Sequence, residues 1–276
     1  MSSKSISELQ FFTITKNSDI WNSVSSAIMT IIDEALFDAG PEGITFRSMD
    51  PSHIALIDIN WPSSAFEQYH CSSTMKFGVR IDEFSKIIKR ANANDSIEIG
   101  IQDNSSLNVK TSGSGYLRNY KMRLIESTGN VSSPLPQMTF NSKIIIGIAA
   151  LDKILNDVGV ISEKITIDTS SNSVSNNKTT AIFSGNSDRG EARIIMQSDN
   201  DDKNKVESLQ EITAKENSKS TYNIDFISKI IRAIGNQSSS NLVTIEYSSN
   251  KPLRLEFLLL PGMVRIQFYL APRVQD

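Results

Sequence analysis

Few residues of this chain could carry out covalent or metal chemistry. It has two histidines, His53 and His70, and one cysteine, Cys71. His53 ends the bend Asp50-Pro51-Ser52-His53, where a structural or pocket-lining role is favoured over catalysis, and Asp50 is predicted to form an Asx-type turn. The sequence contains no glycine-rich phosphate loop, no Gly-x-Ser-x-Gly elbow and no His/Cys set with metal spacing. An enzyme is therefore disfavoured.

One acidic segment, 199–202, begins like a calcium-binding loop. Lys203 then occupies the position of the next ligand, and Asn204 the position that needs glycine. We expect a solvated loop there, and we expect the protein to bind no metal ion and no cofactor.

Basic residues recur in a pattern that points to phosphate contacts. Segments 82–91 and 225–233 share the sequence Ser-Lys-Ile-Ile-basic. Their two cations are three positions apart and so share a helix face. One such helix would be an ordinary solvated face, but the repetition favours a shared role in sequence-independent contacts to phosphates. The set comprises Lys86, Lys89, Arg90, Lys153, Lys229 and Arg232.

The repeated segments indicate two copies of one domain. Between them, Tyr120, Met122 and Leu124 alternate as in a strand with one buried face. A polar, proline-containing stretch that cannot continue the strand follows. We predict an N-terminal domain at 1–119, a connector at 120–138 and a C-terminal domain at 139–276. Isolated apolar residues in the connector, such as Val131 and Leu135, are either incidental or part of a docking groove.

Length and composition are those of a globular protein with about two domains. Of its 276 residues, 39% are hydrophobic and 21% are charged. The sequence shows no membrane-spanning run and no signal peptide within Met1 to Gln10, so we expect an intracellular protein. The net charge of −3 argues against an open nucleic-acid-binding surface, but it allows a basic stripe on an acidic body.

Apolar periodicity places the helices and strands. Asp19 is the predicted N-cap of a first helix that buries Ile20, Val24, Ile28 and Ile31. In the second half, a helical stripe is predicted for Ile144, Ile148, Leu151, Leu155 and Val158. Each half is predicted to contain two helices and eight or nine strands. This is an α+β plan, with helices on one face of antiparallel sheet.

Several segments resemble the proliferating cell nuclear antigen (PCNA) type of sliding clamp. The most specific are Ser48-Met49-Asp50-Pro51-Ser52-His53-Ile54-Ala55-Leu56 and the ending Phe268-Tyr269-Leu270-Ala271-Pro272-Arg273-Val274. Gly78-Val79 before the Lys86 helix and the connector start, Tyr120 to Leu124, are also similar. The similarity covers nearly the whole chain in order, and the short tail looks more archaeal than eukaryotic.

This resemblance implies a non-catalytic trimeric ring that encircles duplex DNA independently of its sequence. The ring would tether DNA polymerase, clamp loader, flap nuclease and ligase through short peptide motifs. It would have no contact with membranes, and it would be nucleoid-associated in the cytoplasm, or nuclear in a eukaryote. The six cations above would face the hole. Met29 stands where the family commonly has a lysine, so the first helix would contribute little to the lining.

The resemblance also implies a pocket for an apolar turn of the partner peptide. The flank of that peptide would pair with backbone near Ala271 to Arg273. The pocket residues would be Met49, His53, Ile54 and Leu56, Leu135 and Pro136 from the connector, and Tyr269, Leu270, Ala271 and Pro272 from the end of the chain.

Ring closure would use two strands that are bare edges in a monomer, Gly115 to Arg123 and Gly190 to Met196. Pairing one with the other on a neighbouring subunit is head-to-tail. The interface residues would be Gly115, Leu117, Tyr120, Glu191, Arg193 and Ile194. The alternatives are a subunit of a heterotrimeric or checkpoint-type clamp, an enzyme on a duplicated α+β scaffold, and a scaffold protein that does not bind DNA.

Overall fold

The structure, a computed structural model, describes residues 9–103, 105–126, 138–171, 179–197, 209–235, 241–259 and 263–273. It divides into two compact units. The first comprises Met1–Ser132 with Leu258–Ile266, and the second comprises Ser133–Phe257 with Gln267–Asp276. The domain boundaries at 119/120 and 138/139 stay a prediction.

The first unit contains two helices and nine strands in its described N-terminal part. The helices are α1 (Ser18–Ile28) and α2 (Ile81–Ile88). The strands are β1 (Phe11–Thr15), β2 (Glu34–Gly40), β3 (Gly43–Met49), β4 (Ala55–Pro62), β5 (Gln68–Cys71), β6 (Met75–Arg80), β7 (Ser96–Ile101), β8 (Ser106–Gly113) and β9 (Tyr116–Arg123). One antiparallel sheet has the order β5-β1-β7-β8-β9, and β6, β2, β3 and β4 are successive neighbours in another.

The second half of the chain repeats this plan within its described residues. The helices are α3 (Ile148–Gly159) and α4 (Ile224–Gly235). The strands are β10 (Ser142–Gly147), β11 (Lys164–Ser171), β12 (Thr179–Ser187), β13 (Gly190–Gln197), β14 (Leu209–Ala214), β15 (Ser218–Asn223), β16 (Leu242–Tyr247), β17 (Leu253–Leu259) and β18 (Val264–Leu270). One sheet has the order β13-β12-β11-β15, and β14, β10, β16 and β17 are neighbours in another. The predicted α+β class is confirmed.

Alternating burial explains the strands of the first unit. In β4, Ala55, Ile57, Ile59 and Trp61 are buried while the residues between them are not, as the two-residue period of a strand requires. Trp21 of α1 packs on Trp61, with ring centroids 4.4 Å apart. Helix α1 and β4 thus meet in an aromatic core.

The predicted buried stripe of α1 is confirmed, but its predicted N-cap is wrong. Ile20, Val24, Ile28 and Ile31 are all buried. The cap is Asn17, whose side-chain oxygen accepts a hydrogen bond from the N–H of Asp19 at 2.7 Å. The helix therefore begins at Ser18, two residues earlier than the start at Ile20 that a cap at Asp19 would give.

The predicted stripe of α3 is also correct except at its start. Ile148, Leu151, Leu155 and Val158 are buried on one helix face. Ile144 lies in β10 instead, where it is buried within a run of β-branched residues that favours a strand. No helix among the described residues is long and apolar enough to cross a membrane.

Candidate functional site

Helices α2 and α4 present equivalent basic faces. Phe84 and Ile88 anchor α2, and Ile227 and Ile231 anchor α4, because these residues recur at helical spacing and are buried. The opposite faces are exposed to solvent. All six cations singled out in the sequence are exposed: Lys86, Lys89, Arg90, Lys153, Lys229 and Arg232.

In each of these helices, the first lysine forms an ion pair with an aspartate one turn earlier. Lys86 Nζ lies 3.2 Å from Asp82 Oδ2, and Lys229 Nζ lies 2.7 Å from Asp225 Oδ2. Desolvation raises the pKa of Asp82, but the hydrogen bond from Lys86 and other favourable contacts outweigh it, so this pKa lies below its usual value. Both aspartates are in a first helical turn, where the helix dipole favours negative charge.

Arg232 links α4 to the neighbouring helix α3. Its Nε lies 3.3 Å from Asp152 Oδ1, and its Nη2 donates to Asn156 Oδ1 at 2.6 Å. Within the described ranges, no ion pair engages the other three cations, Lys89, Arg90 and Lys153. The exposed faces thus combine three cations that are paired with aspartates and three that have no ion-pair partner in the described part of the chain.

Asp50 organises the turn that carries His53. Asp50 is 6% exposed, and its Oδ1 accepts hydrogen bonds from the N–H groups of Ile54 and Ala55 at 2.7 and 2.6 Å. Its Oδ2 accepts from the N–H of Ser52 at 3.0 Å and from the Ser52 hydroxyl. Burial raises the pKa of Asp50, but these hydrogen bonds outweigh it and lower the pKa. The predicted Asx-type turn is confirmed.

His53 adopts a backbone conformation that is uncommon for a residue other than glycine, with φ of 58°. His53 is exposed beside a cavity of about 800 Å³ in the first unit. Met49 and His53 line that cavity, whereas Ile54 and Leu56 do not. Arg80 and Glu126, which were not predicted from the sequence, also line this cavity. The position of Arg80 directly before α2 is the sequence signal that could have indicated it.

The start of the connector is fixed against β6. The N–H of Ile125 donates to Gly78 O at 2.9 Å and forms an isolated antiparallel bridge. A Cβ atom on residue 78 would lie 2.5 Å from Ile125 O, so only glycine fits this approach. Val131, Leu135 and Pro136 lie outside the described residues.

The end of the chain supplies mostly buried groups. Tyr269 is 8% exposed and Leu270 is fully buried. Ala271 and Pro272 are half-buried. The N–H of Arg273 donates to Thr221 O at 2.8 Å, so this donor is already engaged and is not free to pair with a peptide.

Both strands predicted to close a ring are edges of their sheets. In the described part of the chain, β9 pairs with β8 alone and β13 pairs with β12 alone. Leu117 and Ile195 expose 62% and 54% of their surface, which is unusual for large apolar side chains. Of the predicted interface residues, Gly115, Leu117, Glu191 and Arg193 are exposed, and Tyr120 and Ile194 are half-buried.

Two family models match almost the whole chain. The model of the PCNA N-terminal domain matches residues 12–127, and that of the C-terminal domain matches residues 134–273. A relative from Nitrosopumilus maritimus named DNA polymerase sliding clamp is 47% identical over 97% of this chain and 100% of its own length. A relative of the same name from Cenarchaeum symbiosum is 44% identical over the same shares. The chain belongs to the proliferating cell nuclear antigen family.

Two solved structures share the fold. PCNA from Thermococcus kodakaraensis has a TM-score of 0.84 at 21% identity and covers 95% of this chain and 100% of its own. PCNA from A. fulgidus, solved with the C-terminal region of FEN-1 bound, has a TM-score of 0.81 at 24% identity and covers 96% and 99%. The family and fold that the sequence motifs predicted are therefore confirmed.

Proposed function

We propose that this chain is the subunit of a DNA polymerase sliding clamp, a ring without catalytic activity that holds DNA enzymes on the duplex. The observation that carries the proposal is the 47% identity to a DNA polymerase sliding clamp along that relative's full length. The proposed domains are 1–119 and 139–276, joined by the connector 120–138.

Three copies close the ring through their sheet edges. Strand β9 of one copy pairs with β13 of the next, which continues both sheets and covers the exposed Leu117 and Ile195. This contact is head-to-tail, so it closes only when the rotation between subunits completes a circle. The two edges belong to different units of one chain, which supports a homotrimer.

The basic faces of α2, α3 and α4 line the hole. Their exposed cations contact phosphates and do not read bases, so the ring encircles DNA of any sequence. Since the whole chain carries a net charge of −3, attraction to DNA is confined to these faces.

Partner enzymes dock through short peptides with an apolar turn. The peptide contacts Met49, His53, Ile54 and Leu56, together with Tyr269, Ala271 and Pro272 from the end of the chain and Leu135 and Pro136 from the connector. Leu270, which is fully buried, belongs to the core. The FEN-1 C-terminal region bound to A. fulgidus PCNA supports a flap nuclease as one partner. We infer that DNA polymerase, clamp loader and ligase use the same surface.

Sedimentation of the purified chain tests the ring. The unmodified chain should sediment as a trimer, and Ile194→Pro should shift it towards monomer because proline removes a backbone donor from β13. Leu117→Lys, on the other edge, should act in the same direction without altering the β13 backbone. Trimers of unchanged mass in both variants would refute this interface.

Primer extension on singly primed circular DNA tests the clamp function itself. The ring, added with the polymerase and loader of a related archaeon, should lengthen the products. Lys86→Glu combined with Lys229→Glu should shorten them because two repulsive charges then face the phosphates. Capture on circular but not on linear DNA should accompany this, since a ring slides off free ends. Product lengths that do not change with the chain or its variant would count against the proposal.

Calorimetry with the C-terminal peptide of A. fulgidus FEN-1 tests the docking surface. Leu135→Ala with Tyr269→Ala should weaken binding strongly because both apolar contacts are truncated. Equal affinity in the double variant would show that the peptide binds elsewhere.

A further inference from the structure

The contacts of Arg232 join the two helices of the second unit in one closed network. Its Nε donates to Asp152 Oδ1 at 3.3 Å, and its Nη2 donates to Asn156 Oδ1 at 2.6 Å. Asn156 Nδ2 in turn donates to Asp152 Oδ2 at 3.0 Å. Asp152 and Asn156 are four residues apart on α3, so their side chains lie on the same helix face. Each of the three side chains therefore contacts the other two.

The network admits only one orientation of the Asn156 amide. A guanidinium has only hydrogen-bond donors, and an ionised carboxylate has only acceptors. Asn156 must therefore turn its oxygen to Arg232 and its amino group to Asp152, and it does so. The reverse orientation would place donor against donor and acceptor against acceptor. Asp152 thus fixes the amide that in turn holds the guanidinium.

The guanidinium of Arg232 can bind a further acceptor while it keeps these contacts. Arg232 exposes 57% of its side chain, whereas Asp152 exposes 34%. The two contacts engage two of the five N–H groups that a guanidinium has, which leaves three for another acceptor. A phosphate accepts two parallel hydrogen bonds from such a fork. Arg232 can therefore bind a phosphate without leaving Asp152 and Asn156.

The repeated segment of the first unit has no equivalent network. Ser-Lys-Ile-Ile precedes Lys89 in α2 and Arg232 in α4, so the two cations occupy equivalent positions. In the part of the chain that the structure describes, Lys89 has no ion-pair partner. A lysine ammonium is a point charge and lacks the planar fork that binds two acceptors in a fixed geometry. Only the second unit therefore holds its cation from a neighbouring helix.

We infer that Asn156, oriented by Asp152, is a positioning residue for DNA binding, which holds the Arg232 guanidinium ready for a phosphate of the duplex. The inference rests on the proposed function, in which the basic faces of α3 and α4 line the hole. A long side chain that is free to rotate must be ordered when it binds, which weakens binding by about threefold to tenfold. A guanidinium that α3 already holds avoids much of this loss.

The energetics of the contacts favour a role in orientation over a role in folding. An exposed ion pair contributes little to stability because water screens it. Helices α3 and α4 pack on each other and bury apolar side chains such as Leu155 and Ile231, which supply the main attraction between them. The contacts of Arg232 add direction to this packing, because they specify where one exposed guanidinium lies.

A double-mutant cycle on DNA affinity tests the inference. The probe is a fluorescein-labelled linear duplex of mixed sequence, to which the full chain is added at low salt while fluorescence anisotropy is followed. Asn156→Ala leaves the charge of the protein unchanged, yet it should weaken binding about threefold because Arg232 Nη2 loses its acceptor. In an Arg232→Met background the same change should have no effect, since the side chain that Asn156 positions is absent.

The salt dependence of binding separates positioning from charge. Arg232→Met should reduce the slope of log affinity against log salt concentration, because a phosphate contact is lost. Asn156→Ala should weaken binding without changing this slope, because Arg232 keeps its charge. Asn186→Ala, which truncates an exposed asparagine of β12, is the matched control and should leave both affinity and slope unchanged.

The remaining outcomes also decide the question. Unchanged affinity in Asn156→Ala overturns the inference, even if its thermal midpoint falls, because the network would then be purely structural. An equal loss in the Arg232→Met background overturns it too. If Arg232→Met does not fold, Arg232→Lys takes its place in the cycle, since a lysine keeps the charge without the fork. Failure of the proposed function is distinguishable, because Lys86→Glu with Lys229→Glu would then leave DNA affinity unchanged, and the inference would fail with it.

Discussion

Replacing Gly78 with alanine should destabilise the first unit by disrupting the bridge that fixes the start of the connector. The added Cβ would lie 2.5 Å from Ile125 O, a backbone atom that cannot rotate away. The segment around Ile125 must then move, and the hydrogen bond from Ile125 N–H to Gly78 O is strained or lost.

Two terms set the magnitude. Losing the hydrogen bond costs about 0.5–1.5 kcal/mol, and forcing an extra methyl into a packed site costs about 1–3 kcal/mol. The free energy of unfolding should fall by about 2–4 kcal/mol. With a urea m-value of about 2 kcal/mol per M, the unfolding midpoint should fall by about 1–2 M.

Tryptophan fluorescence is a suitable assay because both tryptophans of the chain, Trp21 and Trp61, are buried in the first unit. Gly100→Ala is the matched control, since its Cβ would meet no atom closer than 3.7 Å. That change should raise stability by about 0.4–1 kcal/mol through the unfolded chain. Equal midpoints for the two alanine variants would refute the reasoning.

Two further predictions concern carboxylates. Asp50→Asn should lower the stability of the first unit at pH 7 by about 1–3 kcal/mol. The fold lowers the pKa of Asp50, so its carboxylate contributes fully to folding stability above the unfolded pKa of about 3.9. That contribution is lost as pH falls through the folded pKa. The difference in urea midpoint between the unmodified chain and Asp50→Asn should therefore be smaller at pH 3 than at pH 7. An equal difference at both pH values would contradict this. Asp82→Asn with Asp225→Asn should release Lys86 and Lys229, strengthen binding to linear duplex by a few fold and steepen its salt dependence by up to about two units. Fluorescence anisotropy over a salt series would measure this, and an unchanged slope would mean that these lysines do not reach phosphates.

Local sequence patterns were sufficient to predict most of the fold. The alternation in β4 and the repeated Ser-Lys-Ile-Ile segments specify their elements without help from distant residues. The start of α1 is different, because Asn17 and Asp19 are both good caps. The contacts of Ser18 favour Asn17 as the cap. The Ser18 hydroxyl donates to Asn92 O at 2.7 Å, and its N–H donates to Ala93 O at 3.3 Å. That contact spans 74 residues, so no local pattern contains it.

In the candidate site too, some contacts can be predicted from local sequence spacing and others depend on the tertiary fold. The spacing of Asp82 and Lys86 already indicates an ion pair along a helix. The contact of Arg232 with Asp152 joins residues that are 80 positions apart, and it depends on how α3 packs on α4. The contact of Arg254 with Glu246 likewise needs β16 and β17 in register, and only the folded sheet brings these two residues together.

The ion pairs change how the basic faces should act on DNA. Exposed pairs at this spacing are worth only a few tenths of a kcal/mol, so a phosphate can displace Asp82 from Lys86 or Asp225 from Lys229. When the DNA moves on, each lysine regains its own carboxylate and is not left unpaired. In the proposed ring, this exchange would lower the barrier between successive phosphate positions, because losing one contact is partly offset by forming another. In the proposed ring, Lys89, Arg90 and Lys153, which lack an ion-pair partner among the described residues, would supply a constant attraction to phosphates, and the paired lysines would keep that attraction from immobilising the DNA.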